Sequence, residues 1–277
     1  MNRRYIYPIL ILLVTIGLYY LEDYVGRDQK VVTGTSGSGS SDMSVDPDQS
    51  EFPKWIVPHS PQSEIVLHKY YSLSYDEQHE QARWVAYELR KNQVVNNNYD
   101  RPYFEQDPLV KTKSADWRNY KNSGYDRGHL VAAADMEFSY NAFKDTFFTS
   151  NVSPQLHEFN SGVWNYLEQR VRRWAKQNDG VYVITGPVLE SPIDAIGSEQ
   201  VSVPKAFYKI IVDSYRDEYR VIAFLIPHEK DISRYSEYIV TIDEIEAATG
   251  IDFFSKAPKE LEAELETRTD RLYFDID

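Results

Sequence analysis

Hydrophobic and polar positions divide the chain into stretches of different character. Arg3 and Arg4 precede an apolar run from Ile6 to Leu21, interrupted only by Pro8, Thr15, Gly17 and tyrosines and closed by Glu22 and Asp23. Basic residues ahead of a segment that is apolar on every face mark an export signal, with the basic end on the cytoplasmic side. The run would span about 24 Å as helix, slightly short of a hydrocarbon core of roughly 30 Å, and flanking tyrosines would extend it into the interfaces. No small-x-small cleavage pattern follows, which favours an uncleaved membrane anchor with the rest of the chain outside the cytoplasm; if the segment is removed, the product is secreted or periplasmic. Residues 33–50 are rich in Gly, Ser and Asp and nearly free of large apolar side chains, the composition of a solvated tether. Residues 1–26 are therefore expected to be a signal-anchor or transmembrane segment, 27–54 a flexible linker and 55–277 the folded domain.

Within that domain, Ile65-Val66-Leu67, Tyr70-Tyr71 and Trp84-Val85-Ala86-Tyr87 predict two strands between Glu64 and Leu89, joined by a polar turn. Val181 to Thr185 is a third strand, closed by Gly186-Pro187. Phe207–Val212 and Tyr219–Ile226 form a hairpin around a polar turn from Asp213 to Glu218. A helix is predicted from about Gly162 to Gln177, with Val163, Trp164, Leu167, Val171 and Trp174 on its apolar face. Another runs from Thr241, capped by its hydroxyl with Glu244 three residues on, to Gly250. The pattern is α+β, with a mixed sheet built of antiparallel strands.

Composition narrows the chemistry. The chain has 277 residues, 42% of them hydrophobic, with 22 Tyr, 12 Phe and 5 Trp, enough for a substantial core rich in β structure. With 0 Cys there are no disulfides, thiolate metal sites or cysteine nucleophiles, so any metal is held by oxygen or imidazole. A formal charge of −13 speaks against a protein that coats nucleic acid electrostatically. Residues 42–51 and 260–277 carry −4 and −5 of that charge, however, leaving −4 for everything else. A few well-placed arginines suffice for an enzyme that holds a polyanion only briefly.

Two clusters could carry a reaction. Ser123-Gly124-Tyr125-Asp126-Arg127-Gly128-His129-Leu130 sets an acid, a base and an imidazole among glycines. Glycine allows a sharp turn and a close approach, and a histidine near its ordinary pKa of about 6.5 accepts a proton from water near neutrality. Alone, the segment would more readily be a β-turn with an ordinary surface histidine. The second cluster runs from Ser150-Asn151-Val152-Ser153-Pro154-Gln155 through Phe159-Asn160-Ser161-Gly162-Val163-Trp164 to Glu168 and Arg172, the last two neighbours on one helix face. Alone, Asn160 or Ser161 would merely cap the helix, and Glu168 and Arg172 would be a solvated ion pair.

Together the clusters resemble the DNA/RNA non-specific endonuclease family of ββα-metal nucleases, from about Tyr70 to Phe254. The signature is Asp126-Arg127-Gly128-His129, with Asn160 thirty-one residues later and Glu168 and Arg172 eight and twelve beyond that. Thr185-Gly186-Pro187, Val203-Pro204-Lys205 and Thr249-Gly250-Ile251-Asp252-Phe253 match as well. The resemblance implies a magnesium-dependent, or manganese-dependent, hydrolase of DNA, RNA or both. It implies His129 as general base, Asn160 as the direct protein ligand of a hydrated ion and Glu168 as a ligand through water. Asn151 becomes an active-site asparagine, Arg127 and Arg172 arginines near phosphate, Arg101 a further arginine of the site, and Asp126 a scaffold residue of the turn. His59, His68, His79, His157 and His228 show no ligand spacing and are expected at the surface or in packing, and no aromatic and basic interleaving for single strands stands out. Two rivals remain at this point: a binding or scaffold protein that keeps the fold without catalysis, and a hydrolase of some other phosphodiester.

Overall fold

The computed structural model describes residues 53–59, 63–189, 194–215 and 218–276. The expected anchor and most of the linker lie outside the described residues. No helix among those described is long and apolar enough to cross a membrane.

The strands are β1 (Glu64–Leu67), β2 (Tyr71–Asp76), β3 (Gln81–Arg90), β4 (Asp126–His129), β5 (Val152–Gln155), β6 (Gly180–Val188), β7 (Ala195–Ile196), β8 (Val201–Ser202), β9 (Ala206–Tyr215), β10 (Glu218–Pro227) and β11 (Ile239–Val240). Seven form one sheet in the order β1-β2-β3-β6-β9-β10-β11, every pairing antiparallel. The helices are α1 (Tyr140–Asp145), α2 (Asn165–Gln177), α3 (Ile242–Thr249) and α4 (Lys259–Thr267). The fold is α+β, as the pattern of elements predicts.

Alternation along the central strands gives the sheet two buried faces. Val85, Tyr87, Val183, Phe207, Ile211, Ile222 and Phe224 pack with Trp164, Leu167, Val171 and Trp174 beneath α2. Trp84, Ala86, Ile184, Tyr208, Ile210 and Val212 pack with Ile242, Ile245 and Leu265 of α3 and α4. Trp55 joins this second layer edge-on to Tyr219, with ring centroids 4.9 Å apart.

Four expectations need correction. Glu64–Leu89 holds three strands rather than two. The first turn is hidden because His68, which stacks on Tyr71 at 4.4 Å and bonds the buried Asp107 at 2.8 Å, makes it look like strand interior. The hairpin strands extend into the expected turn, because Asp213 is buried and accepts a hydrogen bond from the Tyr273 hydroxyl, which shields this polar position. Helix α2 begins at Asn165 rather than Gly162, since Asn160–Trp164 forms a wider π-type turn with non-helical angles at Gly162. Finally, Asp126–His129 is a strand and not a turn. The sharp reversal falls earlier, at Gly124 with φ +86°. The Thr241 helix is as expected, with the hydroxyl of Thr241 accepting from Glu244 N and Gly250 left-handed at its end.

Strand β4 pairs antiparallel with β5, Gly128 opposite Ser153 and His129 opposite Val152. This ribbon is tied to the sheet by Ser153 Oγ, which donates to Gln81 Oε1 at 2.6 Å, while Gln81 Nε2 donates to the Ser202 carbonyl at 2.7 Å. Gly128 is required by contact: a Cβ there would lie 2.2 Å from Gln155 Cδ, and Gln155 is fully buried. Gly128→Ala should therefore lower the unfolding free energy by about 1–3 kcal/mol through overpacking. Urea denaturation checks this, and an unchanged midpoint would contradict the close approach.

Candidate active site

His129 lies at the end of β4 in an aromatic bed, its ring centroid 5.0 Å from Phe147 edge-to-face and 5.4 Å from Phe104. Two cations share that bed: Arg127 sits 4.8 Å above Phe104 and Arg101 5.4 Å above Phe147. The His129 Nε2 atom is buried and has no hydrogen-bond partner. Burial, and then repulsion from Arg101 and Arg127, hold the ring's pKa down to about 3, so the imidazole is neutral and able to accept a proton.

Asn151 braces this strand from below. Its Oδ1 accepts from Val131 N at 2.9 Å, and its Nδ2 donates to the carbonyls of Val131 at 3.1 Å and Thr146 at 2.9 Å. The side chain is fully buried and wholly engaged with backbone, so it fixes the chain just after His129 and offers no group to a substrate. Asn151, expected as an active-site asparagine, is buried and bonded to the chain that follows His129.

At the other end of β4, one carboxylate oxygen of Asp126 accepts from both Asn160 Nδ2 at 3.0 Å and His157 Nδ1 at 2.9 Å. Because the donor side of the Asn160 amide is engaged, its carbonyl oxygen is the atom left to bind a cation. Asn160 does not cap α2, and Ser161 donates to the His157 carbonyl instead. His157 is at the surface, as expected, and its bond to Asp126 sets it beside Asn160. The turn that carries it is held from behind by His228, whose Nε2 accepts from Leu156 N at 2.7 Å while its Nδ1 donates to the Pro204 carbonyl at 2.9 Å.

Glu168 and Arg172 are neighbours on α2 but not an ion pair. Arg172 Nη1 donates to Asp135 Oδ1 at 2.7 Å, and the Tyr87 hydroxyl donates to Asp135 Oδ2 at 2.7 Å. The Arg172 side chain is 17% exposed and committed to this buried pair with Asp135. Burial raises the pKa of Glu168, with Lys209 acting in the opposite direction, and its carboxylate has no hydrogen bond or ion pair among the described residues.

The Asn160 amide oxygen and the Glu168 carboxylate are both hard oxygen donors, the kind that suits magnesium or manganese with retained waters. The residues present therefore fit a hydrated divalent cation at Asn160.

Residues 48–260 match the family model for DNA/RNA non-specific endonuclease. The chain belongs to that family. Among relatives of this endonuclease is the mitochondrial nuclease of Saccharomyces cerevisiae, 32% identical over 79% of this chain and 73% of its own length. A nuclease of Nostoc sp. is 30% identical over 76% and 80%, and mitochondrial endonuclease G of Homo sapiens 31% identical over 66% and 67%. A solved EndoG/EndoGI complex matches with a TM-score of 0.69 at 30% identity, covering 78% of this chain and 93% of that one. Membership makes the chain a nuclease, a phosphodiester hydrolase, of a metal-dependent family that acts on nucleic acid.

Sequence reading missed Phe104 and Phe147, which form the bed under His129, and Lys209, which lies inside the core near Glu168. Aromatics near a histidine look like ordinary core, and a lysine within an apolar strand is visible only as a break in its alternation.

The depressed pKa has a direct consequence. In metal-free protein the His129 ring should remain neutral at pH 5, as read by its imidazole nitrogen shifts. An unfolded histidine titrates near 6.5. The unfolded chain thus takes up a proton that the folded one refuses, and stability must fall as pH drops from about 6.5 toward 3. A ring protonated at pH 5 would contradict the buried environment.

Proposed function

We propose that this chain is a magnesium-dependent endonuclease, with manganese as an alternative ion, that cuts DNA, RNA or both with little sequence preference, and that His129 is its general base. The observation that carries the reading is the buried, partnerless Nε2 of a neutral His129, flanked by two arginines and carried on the strand whose other end orients Asn160.

Arg101 and Arg127 bind the phosphodiester, and their charge selects the backbone rather than a base, hence the low specificity. A bound phosphate neutralises these cations and removes their share of the depression of the His129 pKa, moving the ring toward the range of an effective base. His129 Nε2 takes a proton from water as that water attacks phosphorus, the bond to the 3′ oxygen breaks, and a 5′-phosphate end results. Asn160, directly, and Glu168, through water, would hold a divalent cation, which would supply stabilisation of the extra negative charge of the transition state. Arg172 and Asn151 contribute by position: one fixes the α2 face behind Glu168, the other the chain after His129.

On this reading residues 55–277 are the catalytic domain, 27–54 a tether, and 1–26 an anchor holding the enzyme outside the cytoplasm, or an export signal where it is removed. The relatives named above include two described as mitochondrial.

Digestion of plasmid DNA and RNA by the full chain, with and without EDTA, tests the proposal. EDTA should abolish cleavage, and His129→Ala should slow it at least about a hundredfold with folding intact. Asn160→Ala should raise the magnesium requirement. A folded His129→Ala variant of near-normal rate would refute the base assignment, and an inert wild type with metal present would return the scaffold reading.

A further inference from the structure

Alternation along β9 sends Phe207, Lys209 and Ile211 to the face under α2. Lys209 is fully buried, its Nζ has no hydrogen-bond partner, and it lies 4.5 Å above the Trp164 ring. An unsolvated ammonium is a costly group to hold in a packed interior, and a same-length apolar side chain would fill the space without that cost. Packing alone therefore does not explain the charge. Two carboxylates face it, with Arg172 as the neighbouring cation. Asp135 is already engaged by Tyr87 and Arg172. Glu168 is not, and it follows four residues after Trp164, the residue that immediately precedes α2, so the two are one helical turn apart. The positive charge of Lys209 opposes the burial that raises the Glu168 pKa.

We propose that Lys209 is a positioning residue for Glu168: its ammonium, lodged over Trp164, keeps the Glu168 carboxylate in place and so sets how tightly the site takes up a divalent cation. This rests on the reading of Asn160 and Glu168 as a cation site.

Binding of Mn2+ to the full chain without substrate, measured by calorimetry or by electron paramagnetic resonance, provides the test. Lys209→Met should weaken binding by roughly tenfold to a hundredfold, the loss expected when a metal site loses an outer partner. The thermal midpoint of the metal-free variant should stay level or rise, because a buried charge has been replaced by a side chain of similar length. In a Glu168→Gln background the same substitution should have no further effect, since its target is already gone. Wild-type or tighter affinity in Lys209→Met overturns the proposal, as does equal weakening in the Glu168→Gln background. Should Lys209→Met not fold, Lys209→Gln carries the same comparison. A wild type that binds no Mn2+ instead strikes the cation site of the proposed function itself.

Discussion

A single carboxylate oxygen holds the two halves of the site together. Asp126 Oδ2 accepts from the Asn160 amide and from the His157 ring, so a strand and a helical turn 34 and 31 residues away in sequence are fixed to each other. An amide held through its nitrogen cannot flip, which leaves its oxygen as the free face. The same strand ends three residues later at His129. The spacing of the proposed ligand and base is thus a property of the β4–β5 ribbon, and the requirement for Gly128 against Gln155 is a requirement for that spacing.

Behind the ribbon the interior carries charge where apolar side chains would be simpler. Tyr87, Asp135, Arg172, Glu168 and Lys209 gather from β3, the loop after β4, α2 and β9. Buried ionic groups seldom add net stability over a hydrophobic packing of the same volume. Their retention beneath the proposed cation site has a different physical sense. The Asp135 pairing fixes one side of α2, while Glu168 keeps its lone pairs for the surface of the site. Fixed charges already in place need no rearrangement when charge develops on phosphate, and such preorganisation is where electrostatic catalysis gains its strength.

The chain pattern revealed those parts of the fold in which one physical rule acts alone. The Thr241–Gly250 helix is bounded by a capping box and a left-handed glycine, both local, and it is found where expected. Where long-range contacts override local ones, the reading slipped. The β1–β2 turn looks like strand because Asp107, far along the chain, binds His68. Asp213 looks like turn because its shield, Tyr273, arrives from the C-terminal end. In the proposed site, the roles of His129, Asn160 and Glu168 rest on their spacing in the sequence. Yet whether Asn151 and Arg172 face the substrate or the interior depends on partners such as Val131, Thr146 and Asp135, which no spacing reveals.

Net charge was the chief objection to a nucleic-acid enzyme, and the layered fold answers it. Asp243, Glu244, Glu246, Glu260, Glu262, Glu264 and Glu266 belong to α3 and α4, whose apolar sides cover the face of the sheet opposite α2. Leu130, Phe159 and Trp164, adjoining His129 and Asn160 in the chain, pack on the α2 side. A sheet with its two helical layers is about 20 Å thick at the usual spacing of roughly 10 Å per packed layer. The Debye length is about 8 Å at physiological salt. Acidic helices beyond the sheet are therefore screened from a phosphate at the ribbon, whereas Arg101 and Arg127 stand beside it. On the proposed reading, the field that a polyanion meets is set by those two guanidinium groups over their aromatic rings, and the overall sign of the chain governs its solubility more than its chemistry.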